Sequence, residues 1–124
     1  MSLFVIMEGT GRQELEQFKA GVGAYLIGFF KVVNAEGFMT TYGKQSVTIR
    51  QYDGAILAYG QPSKADHTKI FCEEGDTVSF DTALVTAFPT LKRGHEWHSS
   101  PEYQGMINGR LKNTWGPIVL MGAR

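Results

Sequence analysis

The segment most able to do chemistry runs from His95 to Tyr103, with the sequence HEWHSSPEY. It brings two imidazole rings, an indole and a phenol into nine residues. An imidazole can take up or release a proton near neutral pH, and aromatic rings can bind an apolar or aromatic ligand. We therefore predict His98 as the candidate catalytic residue, a base or a proton donor. The predicted ligand-binding residues are the aromatic side chains that could line a pocket between helix and sheet: Tyr25, Tyr59, Trp97 and Tyr103.

The same segment also has a purely structural interpretation. Ser100 is a preferred residue for capping the start of a helix, and Pro101 is favoured at the first helical position. Glu102 then places negative charge at the positive end of the helix dipole. Trp97 and His98 fall on the apolar face of the preceding helix, where the imidazole could pack in the core with one hydrogen bond. The sequence leaves both interpretations open, and it leaves open whether the protein is an enzyme.

Other chemistries have less support in the sequence. His67, His95 and His98 could in principle share a metal ion. Cys72 or Glu102 could join them, but no spacing typical of metal ligands occurs. The sequence contains no haem-ligand motif, no serine nucleophile elbow and no glycine-rich phosphate-binding loop. We therefore predict no metal and no cofactor.

Length and charge exclude several kinds of partner. The chain has 124 residues, which suits one domain, and its twelve basic and twelve acidic side chains cancel. Without a basic bias we expect neither nucleic acid nor an anionic membrane as a partner. No apolar stretch approaches the roughly 20 residues that span a bilayer. The start, MSLFVIMEGTG, lacks the basic residues and long apolar run of a signal peptide, and a single cysteine cannot form an internal disulfide. A cytoplasmic protein is predicted.

Four predicted strands supply the sheet that must position these side chains. Aromatic and β-branched stretches predict strands over residues 24–33, 55–60, 79–89 and 117–122. The polar stretch 61–76 is predicted to be a long loop or an irregular hairpin. With one helix after the first strand and one after the third, the order is βαββαβ. This is the ferredoxin-like α+β arrangement, in which an antiparallel four-stranded sheet carries both helices on one face.

Two predicted helices complete this arrangement. The first begins after Asn34, and Arg50 is assigned to its solvated face. Its apolar face is predicted to comprise Phe38, Tyr42, Ile49 and Tyr52. The second helix begins after Thr90 and restarts at Pro101.

Both faces of the predicted sheet are apolar, and two helices can cover only one of them. In the first strand, Ile27 and Phe29 point to one side while Phe30 points to the other. An exposed apolar face indicates a partner, and we predict a homodimer with sheet packed on sheet. Alternatively, a short helix over residues 12–20, with Phe18 on its apolar side, could fold back over part of the sheet.

Several stretches resemble the domain-of-unknown-function 1330 family. Residues 88–111, FPTLKRGHEWHSSPEYQGMINGRL, are similar to a family pattern in which a strand ends in Phe-Pro-Ser. In that pattern a helix with an aromatic pair follows, and then Ser-Pro-Glu-Tyr-Gln. The segments AYLIGFFKVVNAEGF (24–38) and YDGAILAYG (52–60) are similar to the family's first strand and to its turn and second strand. The likeness covers roughly residues 24–123, which is far more than one short motif.

The resemblance implies a ferredoxin-like subunit of a dimeric α+β barrel. The related superfamily includes cofactor-free monooxygenases, muconolactone isomerases and haem proteins, but the family has no agreed activity and supplies no catalytic residues. Residues 1–22 are predicted to be an N-terminal extension with a short helix, and 23–124 the ferredoxin-like domain. The loop over 61–73 is longer than usual. His98 replaces a common tyrosine or phenylalanine, and Ala87 stands where an acidic residue is frequent.

We therefore expect a homodimer that binds a small apolar or aromatic ligand in a pocket between helices and sheet. It would be a binding protein or a cofactor-free enzyme, and the pocket should have a volume of roughly a few hundred Å³ with His98 facing it. The alternative is a non-catalytic dimeric module, structural or regulatory, in which the loop over 61–76 contacts a partner.

Overall fold

The computed structural model describes residues 4–7, 15–60, 70–74 and 82–124. Its strands are β1 (Phe4–Met7), β2 (Ala24–Val32), β3 (Ala55–Gly60), β4 (Ile70–Glu74), β5 (Thr82–Phe88), β6 (Thr114–Trp115) and β7 (Ile118–Gly122). Its helices are α1 (Ala35–Tyr42), α2 (Gln45–Gln51), α3 (Leu91–Ser99), α4 (Pro101–Gln104) and α5 (Ile107–Asn113), and a short 3-10 helix spans Glu16–Phe18. No helix in this part of the chain is long and apolar enough to cross a membrane.

The main sheet has the predicted ferredoxin-like topology. Its strands lie in the order β3-β5-β2, and β7 pairs with the free side of β2. All of these pairings are antiparallel. A fifth strand, the short β6, pairs with the far end of β2 beside β7 and was not predicted. Gly116 separates β6 from β7 with a φ of +119°, and a Cβ atom there would collide with the backbone of Phe29 and Phe30. This edge of the sheet is therefore formed by the predicted strand, β7, and by a short additional strand, β6, that precedes it.

Part of the stretch predicted as a long loop or an irregular hairpin is a strand, but its partner is β1 and not a neighbouring hairpin strand. Residues 70–74 form β4, which pairs antiparallel with β1 near the start of the chain. Residues 61–69 and 75–81 lie outside the described residues, and with them most of the predicted loop and the start of the predicted third strand.

The single helix predicted after the first strand is two helices. Asn34 caps α1 as predicted, since its Oδ1 accepts a hydrogen bond of 3.1 Å from the backbone N–H of Gly37. The chain then turns at residues 43–44 before α2 begins. Phe38 in α1 and Ile49 in α2 are nevertheless both buried against the sheet, as their spacing predicted. The side chain of Tyr42 lies outside the described residues.

In the second helical region, the helices begin and end at the capping residues that the sequence predicts. Thr90 caps α3 by accepting a hydrogen bond of 3.0 Å from the backbone N–H of Arg93. Ser100 accepts one of 3.1 Å from the backbone N–H of Tyr103, and its hydroxyl donates to the backbone carbonyl of Trp97 at 2.7 Å. One serine thus ends α3 and begins α4, with Pro101 at the first position.

The helices cover one face of the sheet, called here the inner face, and the main core lies between this face and the helices. Its buried members are Ala24, Leu26, Phe30, Phe38, Ile49, Phe88, Trp97 and Tyr103. Alternate residues of β2 point to the opposite side, called the outer face.

β3 contains a bulge that changes which side chains reach the inner face. Ile56 pairs with Thr86 and Tyr59 pairs with Leu84, so Leu57 is an extra residue between them. Ile56 and Tyr59 are three positions apart and would point to opposite faces in a regular strand. The bulge places both on the inner face, which matters for the cavity described below.

The outer face is covered in part by the chain's own N-terminal segment. Phe18, 6% exposed, packs on Ala55 and Ala87. The short side chains of these two alanines leave room for the phenylalanine ring. The fold-back predicted as an alternative therefore occurs on the β3 and β5 side of the sheet, through a 3-10 helix shorter than the predicted helix.

Large apolar side chains of the outer face are exposed on the strands that pair with β2 at the edge. Val119 and Met121 in β7 are 46% and 45% exposed, and Trp115 in β6 is 70% exposed. We call these three residues the edge strip. On β2, Trp115 pairs with Lys31, Val119 with Ile27 and Met121 with Tyr25. Directly paired residues lie on the same face, so these β2 residues also point to the outer face.

Candidate functional site

Three of the five predicted site residues come together. Trp97, His98 and Tyr103 line one opening between α3, the α4–α5 region and the sheet. We call it the His98 cleft. Tyr59 instead lines a separate opening beneath α1 and α2, which we call the Arg50 cavity.

Tyr25 lies at neither opening. It is on the outer face, where it packs against the cluster formed by Phe18, Ala55 and Ala87. Strand alternation explains this position, because the next residue, Leu26, points to the inner face and lines the His98 cleft. The expectation that Tyr25 and Trp97 share a pocket is therefore corrected.

The His98 cleft has a volume of about 240 Å³ and an aromatic wall. The ring centroids of Trp97 and Tyr103 are 4.1 Å apart with the planes tilted by 41°, and both residues are buried. The imidazole of His98 lies 5.6 Å from the Tyr103 ring and 6.3 Å from the Trp97 ring, centroid to centroid. His98 itself is exposed. The structural interpretation that placed this imidazole in the core is therefore wrong.

A guanidinium group completes the polar part of the cleft. Arg110 in α5 lines it, and its Nε atom is buried with no hydrogen-bond partner. His95 and His98 supply two further basic groups, and Ile118 and Leu120 of β7 add apolar surface. None of the described residues that line the cleft is acidic. The arrangement therefore favours an apolar molecule that carries a negative charge or a strong hydrogen-bond acceptor.

The acidic side chains of the predicted segment are engaged elsewhere. Glu96 pairs with Arg93 at 3.1 Å, and Glu102 accepts a hydrogen bond of 3.2 Å from the hydroxyl of Tyr52. Arg93 also pairs with Asp53 at 2.9 Å, and its guanidinium lies 4.8 Å from the centre of the Tyr52 ring. The hydrogen bond to Asp53, more than any other contact, raises the pKa of Arg93. These contacts hold α3 against the end of α2 and leave the cleft to the basic groups.

The described residues do not assemble a metal site. Among them, no three His, Cys, Asp or Glu side chains lie close enough to hold an ion. His95 and His98 share the cleft, but His67 lies outside the described residues. Cys72 lies in β4, whose side chains are also outside them.

Arg110 and Gln45 are the site residues that the sequence did not single out. Gln45, at the start of α2, borders the Arg50 cavity with a buried side-chain nitrogen that has no partner. Arg50 is exposed, as predicted, but it also borders this cavity. No local signal marks Arg110, because Lys112 two residues later is an exposed cation on the same helix. Arg110 differs from Lys112 only in that its Nε atom is buried at the cleft.

Comparison with solved structures agrees with this architecture. SnoaB, a cofactor-independent oxygenase from Streptomyces nogalater, superposes with a TM-score of 0.54 at 10% sequence identity, over 84% of this chain and 95% of its own. RPA0582, a protein of unknown function from Rhodopseudomonas palustris, superposes with a TM-score of 0.55 at 12% identity, over 91% of this chain and 93% of its own. At such identities the likeness concerns the fold alone, and it confirms a ferredoxin-like α+β protein.

The family follows from the sequence. The chain belongs to the DUF1330 family, "Domain of unknown function (DUF1330)", whose model matches residues 23–123. The resemblance described above is thereby confirmed. No curated protein matches the chain.

Proposed function

We propose that the protein is a homodimer that binds a small apolar or aromatic anion in the His98 cleft. The observation that carries this proposal is the Nε atom of Arg110, buried in the cleft wall without a partner. A buried donor costs free energy unless an acceptor reaches it, and a carboxylate matches a guanidinium in charge and geometry. The rings of Trp97 and Tyr103 offer the apolar surface that the body of such a ligand would need.

His98 would act on the bound ligand as a base. A ring nitrogen would take a proton from an acidic C–H group of the ligand, and the anion left behind would face Arg110. This step transfers a proton and no electrons, so it needs no cofactor. It is compatible with a fold that also supports SnoaB, a cofactor-independent oxygenase, although a shared fold does not fix a shared reaction.

The homodimer rests on the edge strip. Trp115, Val119 and Met121 are large apolar side chains that lie in a row on the open part of the outer face. Burying such side chains releases roughly 1.5–3 kcal/mol each before the costs of association. A second copy of the chain, related by a two-fold axis, would cover both strips at once because the contact is self-complementary.

The test of the ligand site is a thermal-shift screen with aromatic and polyketide-like acids, each paired with its neutral amide. We expect at least one acid to raise the melting temperature of the wild type, and its amide to do so less. Arg110→Gln should abolish the shift. Lys112→Gln, which removes an exposed cation from the same helix, should leave it unchanged. If every acid that stabilises the wild type stabilises Arg110→Gln equally, the screen contradicts this site.

The same ligand can be used to test whether the protein is an enzyme or a non-catalytic dimeric module. Incubated with wild-type protein, an acid that passes the first test should exchange a carbon-bound proton at a rate that His98→Ala reduces, as followed by deuterium incorporation from heavy water. Equal incorporation with both proteins, or none with either, would favour the dimeric module without catalysis.

A further inference from the structure

The Arg50 cavity is a second opening, with a volume of about 380 Å³. It lies between the inner face of the sheet and the helices α1 and α2, and among the described residues it shares no lining side chain with the His98 cleft. Its volume falls in the range of pockets that hold small organic ligands, roughly 300–1,000 Å³. The cleft, at about 240 Å³, is smaller.

The inner end of this cavity is apolar. Phe30 of β2 and Leu84 of β5 form its base, with Phe38 of α1 beside them, and all three residues are buried. The bulge in β3 adds Ile56 and Tyr59 from the same strand. An apolar ligand body would therefore contact aromatic and aliphatic carbon on several sides.

The outer end of the cavity is polar, and a hydrogen-bond donor there has no partner. The side-chain nitrogen of Gln45 is buried there, and no hydrogen-bond acceptor reaches it. Arg50 borders the same opening, and the structure gives its guanidinium no ion pair with a described residue. Ser46, which follows Gln45 in α2, also borders the cavity and carries a hydroxyl group. Two donors, one of them charged, thus face a space in which no described lining residue is acidic.

We propose that the Arg50 cavity binds a small carboxylic acid with an apolar body, and that Arg50 and the Gln45 amide hold the carboxylate. A bound carboxylate would satisfy the buried donor of Gln45 and pair with the charge of Arg50. The base formed by Phe30, Leu84 and Ile56 would take the hydrocarbon part. Among the described residues this site shares no lining side chain with the His98 cleft, and its donors lie on α2 whereas Arg110 lies on α5.

The test is a titration of ¹⁵N-labelled protein with 2-naphthoate, followed by NMR, with 2-naphthamide as the neutral analogue. We expect 2-naphthoate to shift the side-chain amide signals of Gln45 and to bind about tenfold or more tightly than the amide, because the charge-assisted contacts are lost in the amide. Arg50→Gln should weaken 2-naphthoate by about the same factor. Lys44→Gln removes an exposed cation six positions earlier that does not line the cavity, and it should bind like the wild type.

Arg110→Gln distinguishes this site from the cleft. If 2-naphthoate binds in the Arg50 cavity, the affinity read from the Gln45 side-chain signals stays within about twofold in Arg110→Gln, whatever that variant does to a second binding event in the cleft. If Arg110→Gln weakens binding and Arg50→Gln does not, the ligand is in the cleft, and the proposal for the cavity is overturned. Unchanged affinity in Arg50→Gln, or no shift at Gln45 under saturating 2-naphthoate, overturns it as well.

Discussion

The indole nitrogen of Trp97 donates a hydrogen bond of 3.0 Å to the hydroxyl oxygen of Thr48, and both residues are buried. Trp97 forms the wall of the His98 cleft. Thr48 lies in α2 between Gln45 and Arg50, which border the Arg50 cavity. One buried hydrogen bond therefore joins the walls of the two openings, and it is the first contact to test.

Thr48→Val keeps the volume of the side chain and removes the acceptor of the indole N–H. We expect the free energy of unfolding to fall by about 1–3 kcal/mol, the cost of a buried donor without a partner. Urea denaturation measures the change. Thr40→Val is the matched control, because the Thr40 hydroxyl also donates to a carbonyl of its own helix but is exposed, and it should cost less than about 0.5 kcal/mol. Equal losses in the two variants would mean that the contact with Trp97 contributes nothing measurable.

Ala87→Asp places a carboxylate under the ring of Phe18. We expect a loss of about 3 kcal/mol or more, because the charge would be buried in a cluster of apolar side chains. Ala20→Asp, at an exposed position of the same N-terminal segment, should be nearly neutral. In a Phe18→Ala background the cost of Ala87→Asp should shrink, since water can then reach the carboxylate. An undiminished cost would argue that Phe18 does not cover this position.

Val119→Asp tests the edge strip as a dimer contact. We expect the wild type to sediment as a dimer at micromolar concentration and Val119→Asp to sediment as a monomer, because the variant would bury a charge in an apolar interface. Leu111→Asp is the control, since Leu111 is 57% exposed but lies on α5, away from the outer face. A monomeric wild type, or equal dissociation in both variants, would contradict the proposed dimer.

Arg93→Gln tests the contacts between α3 and the end of α2. We expect a loss of about 0.5–1 kcal/mol, because the ion pairs are partly exposed to solvent. The raised pKa of Arg93 means that its contribution is fully present at neutral pH and is lost only at strongly alkaline pH. The difference from the wild type should therefore stay constant between about pH 6 and 9 in urea denaturation. Lys92→Gln, an exposed neighbour, serves as the control, and a difference that varied across this interval would point to another titrating group.

The topology and the helix caps could be predicted because they depend on local patterns. Asn34, Thr90 and Ser100 are preferred capping residues followed by helical spacing, and each makes the expected hydrogen bond. The break between α1 and α2 at Gly43 was missed, because the apolar residues on either side keep one helical phase across it.

The candidate site was predictable only in part. Trp97, His98 and Tyr103 are close in sequence, so one helical region brings them together. Arg110 and Gln45 become distinctive only because their nitrogen atoms are buried without partners, and burial depends on which elements pack together. Local sequence does not contain that information.

Leu57, the extra residue in β3, points to the opposite face of the sheet from Ile56 and Tyr59. Leu57 packs toward Phe18 on the outer face, while its neighbours Ile56 and Tyr59 line the Arg50 cavity. A relative one residue shorter at this point would restore strict alternation and still present both neighbours to the cavity. It would lose only an anchor for the N-terminal segment. Insertions and deletions at this position can thus change how the N-terminal segment is attached to the sheet, while Ile56 and Tyr59 still line the Arg50 cavity.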